Sequence, residues 1–226
     1  MWRSLMSAIV SGVIAATAAH AADTARFLAL GDSYTTGEGV AANERWPLLL
    51  AAMLHAHDVA IDVPEIVART GWTTDELAAA MDAHTFHPPY ALVTLAVGVN
   101  NQYRGRDLDN YRAEFRSLLE RAIDLADKRP QRVIVVSIPD WGVTRFGHAS
   151  GRNPAQIARA IDVYNAANAD IAKMLHVRYV DVTIASRVGG DRADMLVADG
   201  LHPSATMYRR WAELVLPQAQ AALASP

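Results

Sequence analysis

The sequence predicts an α/β fold, a single three-layer α/β/α sandwich built on a five-stranded parallel sheet. Two observations lead there. From residue 24 onward, short and nearly continuous apolar runs alternate with longer stretches of helical periodicity, the pattern of βα units whose strands are buried on both faces. In addition, three of the runs lead directly into loops carrying Ser33, Gly71 and Asn100, at the carboxyl edge where open parallel sheets bind ligands.

The first strand is expected over 26–31, where Phe27-Leu28-Ala29-Leu30 is uniformly apolar before Gly31. A helix over 46–55 follows, then a strand over 61–68 that includes Glu65-Ile66-Val67-Ala68. Thr73-Thr74-Asp75-Glu76 supplies capping groups and first-turn acidic charge for a helix over 74–83. The third strand is expected over 90–98, around Ala91-Leu92-Val93-Thr94-Leu95-Ala96-Val97. The helix after it, 108–127, places Tyr111, Phe115, Leu118, Leu119, Ala122 and Ile123 on one face by their three-and-four spacing. Strands over 132–138 and 177–182 flank a helix over 154–175. The last helix, 204–223, starts at a capping Ser204 and is expected to kink or break at Pro217. Between them, 183–200 must fold back over the carboxyl edge of the sheet.

At 226 residues, 51% of them hydrophobic, the chain suffices for one well-cored domain and is short for two. That domain is assigned to 22–226. Residues 1–21 have the form of a secretory signal peptide: Met1-Trp2-Arg3 is short and positive, Leu5 to Ala19 is apolar and small, and Ala19-His20-Ala21 fits a cleavage site. The apolar stretch is shorter than the ~20 residues of a bilayer-spanning helix, so the mature chain is expected to be periplasmic or secreted, without stable membrane insertion. The formal net charge is −3, and no basic stretch interleaves with aromatics, which speaks against nucleic acid as a partner. The absence of cysteine excludes disulfides, a thiol nucleophile, thiolate metal sites and an N-terminal lipidated cysteine. Oligomeric state is left open.

Chemistry concentrates in four short blocks. Gly31-Asp32-Ser33-Tyr34-Thr35-Thr36-Gly37-Glu38-Gly39 puts a serine at the abrupt end of a strand, a common place for a nucleophile. Asp199-Gly200-Leu201-His202-Pro203 offers a carboxylate and an imidazole three residues apart. The acid can fix one imidazole nitrogen so that the other takes a serine proton. Gly71 reads either as a turn glycine or as a donor to an oxyanion. Asn100, in Gly98-Val99-Asn100-Asn101, reads either as a helix N-cap or as a second such donor.

In this order, the blocks resemble the SGNH or GDSL hydrolase family, from Gly31 to His202. The resemblance implies a flavodoxin-like SGNH fold and a serine esterase or lipase, including lysophospholipase- or thioesterase-like activity, acting on a small acyl ester with no metal or other cofactor. It assigns Ser33 as nucleophile, His202 as base and Asp199 as orienting acid. The oxyanion hole falls to the Ser33 and Gly71 amides and the Asn100 side chain. Tyr34 replaces the family's leucine, and Asn101 stands where aspartate commonly follows the asparagine; these affect pocket shape and supporting hydrogen bonds, and remove no catalytic atom. A carbohydrate O-deacetylase or an acyltransferase would use the same triad, and a non-catalytic exported binding module would keep the fold alone.

Other residues have plainer readings. Tyr34, Trp72, Tyr103 and Trp141 follow strand ends and serve either a substrate pocket or the core. His55-x-His57 points to different sides of a helix and is a poor metal pair. His84 and His87 precede Pro88-Pro89 and read as caps of the last helical carbonyls. Arg104 and Arg106 read as solvated charge. Neither a Gly-x-Ser-x-Gly nucleophile elbow around Ser33 nor a lysine-bearing phosphate loop is present.

Overall fold

The computed structural model describes residues 25–224; the segment read as a signal peptide lies outside them. The sheet has five strands, all parallel, in the order β2-β1-β3-β4-β5. They are β1 (Phe27–Gly31), β2 (Glu65–Ala68), β3 (Leu92–Ala96), β4 (Val133–Val136) and β5 (Arg178–Val180). The expected strands are thus all present but shorter. In β2 the whole amino-terminal half is lost: Ile61 contributes only an isolated bridge to Ala25, and Pro64 lacks a ladder donor.

Helices α1 (Ser33–Thr36), α2 (Trp46–Ala56), α3 (Thr74–Ala83), α4 (Val99–Tyr103) and α5 (Leu108–Leu125) occupy the first half. They are followed by α6 (Arg145–Ala149), α7 (Pro154–Met174), α8 (Thr183–Gly189) and α9 (Ala205–Ala224). On one face α9 packs against α2 and lies across β3, β4 and β5; on the other α5 packs between α3 and α7. The sheet is therefore covered on both sides, and β1, β3 and β4 are buried at every position. The amphipathic face expected for α5 is the one buried, through Tyr111, Phe115, Leu118, Leu119 and Ala122.

One expectation, a break at Pro217, is corrected, and one helix was not foreseen. The last helix continues through Pro217. Pro217 and Glu213 are both exposed, so the carbonyl that loses its i+4 donor faces water, while Val215 and Ala219 hold the buried face in register. The 183–200 segment opens with a helix, α8, that its mixed β-branched and glycine composition did not announce.

The topology sets where a site can form. The chain leaves β1 toward β2 and then returns to the other side of β1 as β3, so the crevice at the ends of β1 and β3 is the switch point of the sheet. Register brings the strand ends level, since Gly31 pairs with both Ala68 and Ala96. The loops that carry Ser33, Gly71 and Asn100 consequently leave the sheet side by side.

Candidate active site

Gly31 lets β1 approach β3 closely: a Cβ there would lie 2.6 Å from the Ala96 carbonyl oxygen. The chain then turns at once into α1. Asp32 caps that turn, its carboxylate accepting the Tyr34 N–H at 3.0 Å, and Gly37 ends it in the left-handed region at φ 68°. Ser33 is the first residue of the turn and is buried at the sheet edge.

Asp32 is fully enclosed, and this burial pushes its carboxyl up to about 7 despite hydrogen bonds from backbone N–H groups that oppose the shift. A carboxyl raised in the folded state binds a proton there that the unfolded chain has already released. Its stabilising contribution is complete below the unfolded value near ~3.9 and is lost as pH rises through the folded value, at up to about 1.4 kcal/mol per pH unit. Asp32→Asn keeps the capping oxygen and removes the titration. Denaturant unfolding at pH 4, 5.5 and 7 is expected to show the stability difference moving steadily in the variant's favour; a difference independent of pH would contradict the assignment.

His202 reaches Ser33 from the far end of the chain. Its Nε2 lies 3.0 Å from Ser33 Oγ, and its Nδ1 lies 2.6 Å from Asp199 Oδ2. The other Asp199 oxygen accepts the N–H groups of Leu201 at 2.8 Å and His202 at 3.0 Å, so one short turn builds both members of the pair. Burial raises the Asp199 carboxyl, but the His202 ring and these two N–H groups together hold it below its ordinary value. The loop is closed by the antiparallel bridge of Leu196 to Pro203. It is tied to α6 by the Phe146 N–H, which donates to the Gly200 carbonyl at 3.0 Å. Behind the imidazole, the Tyr34 ring lies 5.5 Å from the His202 ring and 5.8 Å from that of Trp211.

The second and third loops converge on the same place. Gly71 occupies the third position of a turn in which the Trp72 N–H donates to the Arg69 carbonyl at 3.2 Å. Its φ of 88°, with Thr70 outside the left-handed region, makes this a type II turn. Asn100 is not an N-cap. That position belongs to Gly98, at φ 131°, where a Cβ would meet Tyr111 Oη at 2.3 Å. The Asn100 amide instead donates to the Trp72 carbonyl at 2.9 Å and carries a second hydrogen. Asn101 braces the same loop from below, accepting the Thr74 N–H at 3.1 Å and donating to the Thr74 hydroxyl at 2.6 Å.

Ser33, Gly71, Asn100 and His202 line one cavity of about 200 Å³. Its remaining wall is largely apolar, formed by Tyr34, Val99, Tyr103, Trp141, Phe146 and Leu201, with Thr70 beside Gly71. Trp141 and Tyr103 meet edge to face at 5.3 Å, and the Trp141 indole N–H donates to Gln102 Oε1 at 2.8 Å. Trp72 does not line the cavity. Its ring is partly buried against the core, and only its carbonyl meets the site. Val99, Leu201 and Thr70 lay within or beside the sequence blocks, whereas Phe146 sits on a short helix with no sequence signal. A cavity of about 230 Å³ near Arg26, Tyr90 and Arg129 opens at the amino edge of the strands, away from Ser33.

Two plainer readings change, those of His84 and Arg104, and a third residue, His55, gains a partner. His55 bonds the backbone of Ile61 at 2.5 Å. His84 pairs with the Glu65 carboxylate at 2.5 Å rather than capping carbonyls, because the strand and helix ends lie adjacent. Arg104 is not simply solvated: its Nη2 donates to the Gly71 carbonyl at 2.6 Å. Among the described residues no cluster of three or more His, Cys, Asp or Glu is arranged to hold a metal, and no helix is long and apolar enough to cross a membrane.

The model of the GDSL-like Lipase/Acylhydrolase family matches residues 29–210. The chain belongs to that family. It is an ester-hydrolysing enzyme, and its fold is that of solved GDSL hydrolases. TesA superposes with a TM-score of 0.70 at 21% identity, over 88% of this chain and 99% of that one. The psychrotrophic esterase EstA from Pseudoalteromonas sp., in a structure inhibited by monoethylphosphonate, gives 0.67 at 16% identity over 88% and 99%. Axe2, an acetyl xylan esterase from Geobacillus stearothermophilus, gives 0.65 at 20% identity over 86% and 94%. No curated protein matches the chain.

Proposed function

We propose that this GDSL enzyme is an exported serine esterase that hydrolyses small carboxylic esters through an acyl-enzyme on Ser33. The 3.0 Å approach of His202 Nε2 to Ser33 Oγ, across 169 residues of sequence, carries the reading. In acylation, Ser33 Oγ attacks the ester carbonyl as His202 Nε2 accepts its proton, and Asp199 holds the resulting imidazolium in place. The backbone N–H groups of Ser33 and Gly71 and the second Asn100 amide hydrogen stabilise the oxyanion, each donor being worth roughly 3 kcal/mol. His202 then protonates the departing alcohol. Water enters, gives its proton to His202 and attacks the acyl carbon; as the bond to Ser33 Oγ breaks and the acid leaves, His202 returns that proton to Oγ and restores Ser33.

Substrate size follows from the cavity. At about 200 Å³ it lies below the roughly 300–1,000 Å³ of sites that enclose drug-sized ligands. It therefore takes one short acyl chain or a single ring against Tyr103, Trp141 and Phe146, with the remainder of the substrate outside. That favours small esters over long-chain lysophospholipids or acyl thioesters. Deacetylation of a carbohydrate is the second reading, favoured by the same small cavity and by the fold shared with an acetyl xylan esterase. Export rests on the signal-peptide pattern of residues 1–21.

Treatment of the folded protein with a fluorophosphonate tests the nucleophile directly. The expected result is a single phosphonyl adduct, mapped by peptide mass to Ser33, with concurrent loss of esterase activity. Absence of the adduct in a folded sample, or an adduct elsewhere, overturns the proposal.

A further inference from the structure

Gly71 has wide conformational freedom, yet the direction of its N–H decides whether the oxyanion hole is complete. In a type II turn the peptide joining the two central residues faces the opposite way from its orientation in a type I turn. Here that peptide joins Thr70 to Gly71, so a flip of the turn would aim the Gly71 N–H away from its present side. Glycine in the third position, at φ 88°, permits the required conformation but does not enforce it, since glycine occupies both signs of φ readily.

The flanking contacts hold the neighbours of that peptide, the Thr70 side chain before it and the Gly71–Trp72 peptide after it. On one side, the Thr70 hydroxyl donates to the Glu38 carboxylate. On the other, Arg104 Nη2 donates to the Gly71 carbonyl at 2.6 Å, while Nη1 lies 3.3 Å from Glu76 Oε2. Glu76 in turn accepts the Thr73 N–H at 2.9 Å. The guanidinium thus spans the turn and the start of α3 with its two ends. It projects from the end of α4, one helical turn after Asn100, and the Arg104 N–H donates to the Asn100 carbonyl at 3.0 Å.

We propose that Arg104 is a positioning residue for the oxyanion hole, holding the Gly71 turn in register with Asn100 so that both donors face one point. The inference rests on the proposed serine-esterase reading, in which Gly71 and Asn100 are the donors. It predicts an effect on the transition state rather than on substrate binding, because Arg104 acts through Gly71 and its own side chain does not line the cavity.

The test compares Arg104→Met and Arg104→Lys with wild type and Ser33→Ala on a short-chain aryl ester. Inhibition by a trifluoromethyl ketone, whose serine adduct carries an oxyanion, is measured alongside. Arg104→Met is expected to lower kcat about 10- to 100-fold, part of the loss seen when a donor itself is removed, with KM changed less than about twofold. The inhibitor constant should weaken by a comparable factor. Arg104→Lys keeps one donor for the Gly71 carbonyl and should recover part of both losses. Near-wild-type kcat and inhibitor affinity in Arg104→Met would overturn the proposal, as would a loss with no recovery in the lysine variant. If the methionine variant unfolds, the lysine variant decides alone: a partial loss of kcat and of inhibitor affinity with KM little changed sustains the role, and wild-type kcat and inhibitor affinity, or a change in KM only, refutes it. Persistence of wild-type activity in Ser33→Ala would instead refute the esterase reading on which the inference stands.

Discussion

Ser33→Ala is expected to lower kcat on an aryl ester by at least about 10⁴-fold, with KM and the thermal midpoint close to wild type. The expectation of such a large loss comes from cooperation within the triad. Without Oγ, the His202 Nε2 proton acceptor 3.0 Å away has no nucleophile to activate, and the oxyanion donors alone sustain only a residual rate over water. The structural change is small. Ser33 is buried in the first turn of α1, and its backbone carbonyl still accepts the Thr36 hydroxyl at 3.0 Å. Steady-state kinetics beside circular dichroism melts measures both parts. Turnover above about one per cent of wild type in a folded variant would exclude Ser33 as nucleophile, since triad serines contribute orders of magnitude more than that.

Asp199→Asn is expected to cost about 10² to 10⁴ in kcat. The substituted amide can present N–H toward Nδ1 and so place the ring proton on Nε2, where it blocks acceptance of the serine proton. The effect should fall short of the upper figure, because the Asp199 side chain remains 43% exposed while that of His202 is 10% exposed. Water can therefore substitute in part for the carboxylate. The turn itself should survive, since the asparagine oxygen can still accept the Leu201 and His202 N–H groups now held at 2.8 and 3.0 Å. Asp199→Ala removes those bonds too and should melt earlier than Asp199→Asn. The sign of the pH dependence follows from the lowered carboxyl. Its contribution to stability is present above the unfolded value and is lost as acid brings the pH down through the folded one. Equal kcat for wild type and Asp199→Asn would remove Asp199 from the mechanism.

The strands were readable because parallel strands covered on both faces carry nearly unbroken apolar runs, as Val133 to Val136 shows. The proposed nucleophile, base and acid were readable for a different reason. Asp199 and His202 form their pair within one turn, and Ser33 stands at a strand end marked by the apolar run Phe27 to Leu30 and the glycine after it. What stayed hidden depends on partners far along the chain. Arg104 looks like any exposed arginine until β2 and α4 are laid side by side and the Gly71 carbonyl comes within 2.6 Å. Asn100 looks like a cap because asparagine often is one; Gly98 takes that place through a positive φ that no pattern of hydropathy encodes. Pro217 reads as a break because the rule weighs the lost donor and cannot see that the orphaned carbonyl faces water.

The site rests on two unequal foundations. Ser33 and Asn100 are continuous with the inner strands β1 and β3 and Gly71 follows β2 closely, whereas Asp199 and His202 arrive on a long excursion from the edge strand β5. That excursion is moored by Arg187, which bonds Asp140 at 2.8 Å and Asp162 at 2.7 Å, and by the Phe146 N–H, which donates to the Gly200 carbonyl at 3.0 Å. Polar moorings at a margin open at lower free energy than a central sheet. Warming should therefore unseat the base while the nucleophile still stands in an intact scaffold, so that the enzyme falls silent before it falls apart. Activity then becomes a gauge of how well the 183–204 segment is docked, and amide exchange should find that segment open at temperatures where β1 and β3 remain closed.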